Sequence, residues 1–277
     1  MRHRVRMKRK PNPSSPPRHR DAASAPSHGL ARVLNRLGLC SRSQAQALVR
    51  AGRVRVNGHV VLDPDAPADA LRDRIEVDGA AATAATKVYV ALNKPRGYVT
   101  TASDEQGRQT VYTLLQDIQL PEARWLAPVG RLDKASEGLL LFSNDSAWAA
   151  RLTDPLTHLA KTYHVQIDAL PDPAMLQRMR DGIDDDGEQL AVRSVQELRR
   201  GEKNAWLEVV LDEGRNRHIR RLLAAFDIAV LRLVRVAIGS LELGDLPKGK
   251  WRILGIEDAQ RLAPAPADRA SNRQGAA

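Results

Sequence analysis

GRLDKASEGLLLFSND, residues 130–145, is the stretch on which the reading of the whole chain turns. It opens with Gly130, sets Arg131 and Asp133 two residues apart, and passes through a short polar run into Leu139 to Phe142. That apolar run belongs inside a core, as a buried strand. A tight turn at the glycine then presents Asp133 at the lip of the strand, which holds one carboxylate still.

Outward from this loop the pattern is mostly strands with a few helices. KVYVALNKP (87–95) alternates as a strand, and Pro95 to Gly97 turns it. Trp125 to Val129 leads into the loop, and Asp145 or Ser146 caps a short helix that ends before Pro155. KTYHVQID (161–168) alternates again, and Asp172-Pro173 starts a helix with proline in its first turn. NAWLEVVLDEG (204–214) is a strand closed by Gly214, followed by a helix on which Ile219, Leu222, Leu223 and Phe226 share a face. VLRLVRVAIG and WRILGI complete the sheet. Antiparallel strands flanked by helices predict an α+β fold for residues 87–258. Asp184 to Asp186 reads as a solvated acidic turn, and Trp206 and Trp251 as core residues of their strands.

The chain has 277 residues, enough for this domain and a smaller one, and a net charge of +10. Such a charge points to a nucleic-acid partner. Its distribution matters more than its sum. Residues 1–28 hold eight Lys/Arg and one acid, Asp21, so 35 basic and 32 acidic residues remain for the rest. Residues 1–28 read as a basic disordered arm, whose prolines disfavour the amphipathic helix of a transit peptide. Residues 259–277, rich in Ala and Pro, read as a disordered tail. One cysteine, Cys40, leaves no intramolecular disulfide or cysteine-rich zinc site and fits a reducing, cytoplasmic compartment. No apolar run approaches the ~20 residues of a membrane-spanning helix, so no membrane partner is expected.

The smaller domain is expected at residues 29–79. Leu30, Val33, Leu34 and Leu37 have helical spacing up to Gly38. Ser41 with Gln44 makes a capping box for a second helix bearing Ala45, Leu48 and Val49. RVRVNGHVVL (53–62) alternates on both sides of Asn57-Gly58, a hairpin signature. Between Leu30 and Val60 stand Arg32, Arg36, Arg42, Arg50, Arg53 and Arg55 and no acid, which suits a polyanion surface. The uncharged run GAAATAAT reads as the domain boundary, with residues 80–86 as linker. The order of these parts, closing in Gly-Arg-Val-Arg-Val-Asn-Gly, resembles the S4 RNA-binding domain. That resemblance implies structured ribosomal or transfer RNA recognised by shape.

In an RNA-binding protein an isolated carboxylate such as Asp133 can hold Mg²⁺, act as a base or attack a sugar carbon. Magnesium generally takes further carboxylates, and only Glu137 lies near in sequence, which leaves base or nucleophile. Arg217, Arg220 and Arg221, beside the apolar face of the helix after Gly214, offer an ion-pair partner that would keep the acid ionised.

The loop motif resembles the signature of pseudouridine synthases, in particular the RsuA-like branch acting on ribosomal RNA. NKPRGYVTT (93–101), KTYHVQI (161–167), EGRNRHIRRLL (213–223) and LVRVAIGSLEL (233–243) extend the likeness in the same order. The resemblance implies that Asp133 is the catalytic aspartate and that Arg131 enters the RNA stack where the target base leaves. It implies that Tyr163 packs on the uracil and that Arg220 pairs with the aspartate, with Arg217 as the alternative. Leu233 or Ile238 would wall the base. Two departures stand out: Ser136 replaces a common threonine, and His218 replaces a common glutamine.

The implied reaction is isomerisation of a specific uridine to pseudouridine in ribosomal RNA, with the large subunit slightly preferred. It has no net redox change, so no cofactor and no metal are expected, and a monomer is the family expectation. The sequence carries no phosphate loop, dinucleotide fingerprint or metal-ligand cluster. The competing reading is a non-catalytic RNA-binding or ribosome-assembly factor with a degenerate synthase domain. Retention of Asp133, Tyr163 and Arg220 together argues against it. A nucleoside hydrolase is disfavoured, because such enzymes use two acids where one stands out here.

Overall fold

The computed structural model describes residues 28–101, 106–119 and 125–263. The basic arm up to residue 27 and the tail from residue 264 lie outside the described residues.

The small unit begins one residue inside the expected arm. Strand β1 (His28–Gly29) leads into helix α1 (Leu30–Arg36), whose Leu30, Ala31, Val33 and Leu34 are buried. Helix α2 (Arg42–Arg50) starts with the expected box: the Ser41 hydroxyl accepts from the Gln44 amide, and the Gln44 side chain accepts from the Ser41 amide. Strands β2 (Val54–Val56) and β3 (His59–Val60) pair across Asn57 and Gly58, whose φ values of 52° and 84° form the two-residue turn. Strand β4 (Pro67–Ala68) pairs with β1, and β5 (Ile75–Val77) with β2. Ala80–Ala81, expected in the linker, instead forms an edge strand, β6, on β5. The Ala82 amide also bonds to the Ile75 carbonyl, so the link is shorter than expected and starts after Ala82. Alanines without charge or pattern give no strand signal; backbone pairing alone recruits them.

The large unit runs through β7 (Tyr89–Lys94), β8 (Ala127–Val129), β9 (Glu137–Ser143), α3 (Ser146–Thr153) and β10 (Lys161–Ile167). It continues with α4 (Pro173–Asp181), the hairpin β11 (Ile183–Asp185) and β12 (Glu188–Leu190), β13 (Ser194–Arg200), β14 (Ala205–Leu211) and α5 (His218–Ala224). The chain closes with β15 (Val230–Ile238), β16 (Leu241–Glu242), β17 (Trp251–Ile253) and α6 (Ile256–Leu262). Both proposed caps form: the carboxylates of Asp145 and Asp172 accept amides at the starts of α3 and α4. The fold is α+β. One nine-stranded sheet has the order β13-β14-β10-β15-β9-β7-β17, with β16 on β15 and β8 on β9.

Every pairing in that sheet is antiparallel except one. Strands β15 and β9 run parallel, matched at Val234–Glu137 and Arg235–Gly138. This seam joins two halves with separate cores. On one side Val165, Ile167, Leu207, Val209, Ile219 and Leu222 pack together; on the other lie Leu139, Leu141, Trp148 and Ile238. At the seam a Cβ on Gly138 would come 2.2 Å from the Arg235 carbonyl oxygen, and its φ is 101°. Only glycine permits that approach. All seven residues of β9 are buried, as the apolar run predicted for a central strand.

Three expectations change. Asp184 to Asp186 is not a free turn: β11 and β12 form a hairpin through it, and Asp185 and Glu188 both bind Arg221 of α5. The large unit extends beyond residue 258, because Ala259 and Leu262 of α6 are buried and the Trp148 indole donates to the Ala259 carbonyl at 2.7 Å. Trp206 is only half-buried, with the Arg199 and Arg232 guanidiniums 5.2 and 5.5 Å from its ring centre, while Trp251 does pack against a core cluster. Strand alternation cannot tell a core tryptophan from one capped by cations on the other face.

Candidate active site

The loop between β8 and β9 is held by its backbone. Leu132 is buried, and its carbonyl accepts from the Thr100 hydroxyl at 2.7 Å. The Asp133 carbonyl accepts from the Ser136 amide at 3.0 Å and from Lys94 Nζ at 3.0 Å. The Gly97 amide donates to the Lys134 carbonyl at 2.7 Å, Arg220 Nη2 to that of Ala135 at 3.2 Å, and Lys94 Nζ to that of Ser136 at 2.8 Å. Each carbonyl from Leu132 to Ser136 is therefore tied to a fixed donor. The Asp133 side chain is left exposed, on a backbone that cannot drift.

Lys94 is the centre of this arrangement. It is fully buried at the end of β7, and its ammonium also reaches the Pro95 carbonyl at 3.2 Å. Burial pulls its pKa down to about 8, against the opposing charges of Asp133 and Glu137 and with help from Arg235. Glu137, at the first position of β9, is itself buried and pairs with Arg232 and Lys248. Those two cations hold its carboxyl below the ordinary range although burial works the other way.

Asp133 opens into a cleft of about 390 Å³ over the parallel seam. Its lining brings together Arg131, Tyr163, Arg217, Arg220, Leu233 and Ile238, the residues singled out in the large unit. Arg131 lies exposed at the rim. Tyr163 sits on β10 with Val209 and Arg235 as its strand neighbours. Arg217 is also exposed, in a left-handed conformation (φ 50°) at the start of α5. Arg220 donates to the Val230 and Ala135 carbonyls, and its Nε is buried without a partner. Burial and the like charge of Arg217 lower its pKa, and the Asp133 carboxylate opposes this. The expected pairing with Asp133 is thus one of field, with no direct ion pair between them.

Lys94, Thr100, Lys161 and Arg235 were not singled out from sequence, and each has a defined place here. A lysine closing an apolar strand just before a proline, as in VALNKP, is the one local signal among them. His218 is 3% exposed, its Nδ1 lies 3.9 Å from a Glu213 carboxylate oxygen, and burial pushes its pKa down.

All six arginines named in the small unit are exposed. Arg53 nevertheless holds the Asp78 carboxylate with Nε at 2.7 Å and Nη2 at 2.6 Å. It is a locked structural pair, formed with an acid outside the window that looked unbalanced. Arg36 contacts His28, and Arg55 donates to the Gly58 carbonyl at 3.2 Å. Arg32, Arg42 and Arg50 have no partner among the described residues.

Residues 88–225 match the family described as RNA pseudouridylate synthase, and residues 29–70 match the S4 domain. An uncharacterized RNA pseudouridine synthase of Aquifex aeolicus is 37% identical over 84% of this chain and 93% of its own. Ribosomal large subunit pseudouridine synthase B of Bacillus subtilis is 32% identical over 88% of this chain and 98% of its own. A crystal structure of a pseudouridylate synthase superposes with a TM-score of 0.59 at 28% identity, covering 85% of this chain and 100% of that one. With the cleft, the pinned aspartate loop and the basic N-terminal module in place, the chain belongs to the RNA pseudouridine synthases, as a member that carries an S4 domain.

Proposed function

We propose that the chain converts one uridine of large-subunit ribosomal RNA to pseudouridine, with Asp133 acting at the ribose. The observation that carries this reading is the single exposed carboxylate on an immobilised loop, facing Tyr163 and Arg220 across one cleft. The similarity to a named large-subunit synthase supports the substrate class.

The reaction breaks the N1–C1′ bond and rejoins the ring through C5. Asp133 does its work by attacking C1′ or by removing a proton from C2′; a primary isotope effect from deuterium at C2′ distinguishes the second route from the first. The target base must first leave the stack, which costs a few kcal/mol. Arg131 at the rim offsets this by filling the gap. Tyr163 packs against the extruded uracil, with Leu233 or Ile238 on its other side. Arg220 sets a positive charge beside Asp133, and Arg217 contacts the RNA. Arg32, Arg36, Arg42, Arg50 and Arg55 of the small unit bind the phosphate backbone. The protein works as a monomer in the cytoplasm and needs no cofactor.

The test is to map pseudouridines in ribosomal RNA from cells lacking the gene and from cells restored with wild type or Asp133→Asn. One large-subunit pseudouridine is expected to vanish on deletion and to return with wild type alone. A full set of pseudouridines in the deletion strain sinks the proposal.

A further inference from the structure

The roles above leave three cations of the cleft unused; Arg215 pairs with Glu213 and Glu188, and Lys161 and Arg235 remain. Arg235 is 6% exposed, and its Nε donates to the Leu139 carbonyl at 2.8 Å across the seam. Its Nη2 is buried and has no partner among the described residues. Lys161 also lines the cleft, two residues before Tyr163 and so on the same face of β10. Arg235 lies directly opposite Tyr163 on β15. Neither cation makes an ion pair among the described residues. The nearest acid to influence Lys161 is Asp212, also in the cleft wall. Burial and the charge of Arg235 both push the Lys161 pKa down.

Two like charges close enough to repel, each withdrawn from water, are unfavourable in the free protein. A buried guanidinium nitrogen with no acceptor adds to this. The arrangement makes sense once negative charge enters the cleft. Two sources are available in RNA: a phosphate, or the uracil ring itself. A phosphate is bulky and strongly hydrated, and the exposed Arg131 and Arg217 at the rim suit it. Arg235 is buried in the cleft lining with Leu233 and Ile238 of the same strand and lies opposite Tyr163, a position that suits a flat base held against that ring.

We propose that Arg235, with Lys161 beside it, is a catalytic anion site that takes up the charge of the detached uracil ring. This rests on the isomerase reading. When N1–C1′ breaks, the bonding pair leaves with N1. C1′ is then bonded to the Asp133 carboxylate, or joined by a double bond to C2′ after its proton has gone to Asp133. In both cases the ring departs with one negative charge, spread over N1 and its carbonyl oxygens. A donor aimed at a carbonyl oxygen stabilises that charge more than it stabilises the intact nucleoside.

The test uses a large-subunit ribosomal RNA fragment synthesised with uridine or 5-fluorouridine at the position mapped above. Fluorine makes the ring a more stable anion, so a site that stabilises the anion matters less. Single-turnover loss of the parent nucleoside is followed by digestion and chromatography. Arg235→Met is expected to slow uridine turnover on the order of 100-fold and 5-fluorouridine turnover about tenfold less, with RNA affinity unchanged. Arg235→Lys should restore part of the rate. Lys161 makes no side-chain hydrogen bond among the described residues, so Lys161→Met should show the same asymmetry more weakly, and it carries the test if Arg235→Met does not fold. Equal losses on both substrates, or a loss confined to affinity, would overturn the anion site and leave the isomerase reading standing. A wild-type protein that forms no pseudouridine in the fragment would overturn both.

Discussion

Asp133 is exposed while the carbonyls around it are all taken, so on the proposed function replacing its side chain should remove chemistry and leave the loop in place. Asp133→Asn should lower pseudouridine formation at least about 1,000-fold, with an unchanged melting temperature by calorimetry. Lys94 is the opposite case. Its folded pKa of about 8 lies below the ordinary lysine value, so from there up to about 10.4 the unfolded chain holds a proton that the folded chain has released. Stability from this group therefore rises with pH across that window. Urea melts of wild type and Lys94→Met should diverge in favour of wild type as pH increases from 8 to 10. Tyr89, pushed up to about 12 mainly by burial, is present in both proteins and cancels from the comparison. Lys94→Met should also reduce turnover, because three carbonyls lose their common donor. Asp133, Arg131 and Tyr163, which the fold gathers in one cleft, stand out in sequence because they sit in dense local motifs. Lys94 and Arg235 read as isolated cations in strands, since their partners lie 39 to 96 residues away.

At the scale of elements, the parallel seam between β9 and β15 is the hinge of the geometry. It brings the loop before β9 alongside Tyr163 on β10, through β15 lying between them. Gly138→Ala would place a Cβ against backbone that has no room to yield, at a φ that L residues rarely adopt. The expected loss is more than about 3 kcal/mol, read as a shift in urea midpoint or as failure to fold. The β11–β12 hairpin has a comparable anchoring part, since Asp185 and Glu188 grip Arg221 and so fix the helix that presents Arg220. Its acidic residues looked like a solvated turn because the charge that answers them comes from more than thirty residues further along.

At the scale of the molecule, the proposed function gives RNA capture to the small unit and chemistry to the large one. Arg32, Arg42 and Arg50 have no partner among the described residues, whereas Arg53 is committed to Asp78. Replacing the first three with Gln should weaken RNA binding and reduce the slope of log affinity against log salt by roughly one per arginine. Arg53→Gln should leave that slope nearly unchanged. Filter binding across a salt series separates the two, and equal slope changes for Arg53 and Arg42 would contradict the division. Among the described residues no helix is long and apolar enough to cross a membrane.

Local pattern determined the two helices and the hairpin of the small unit, both caps and the strongly apolar strands of the large unit, and the loop that carries Asp133, but not β11, β12, β13 or β16. Apolar period, capping residues and turn dipeptides act over a few residues, so they are written contiguously. Tertiary structure decided the rest: that β9 and β15 meet in parallel, that Ala80–Ala81 and α6 extend their units, and that Arg53 is paired while Lys161 and Arg235 are not. Strand partners, buried charge and its neutralisation depend on residues distant in the chain, and only packing brings those together.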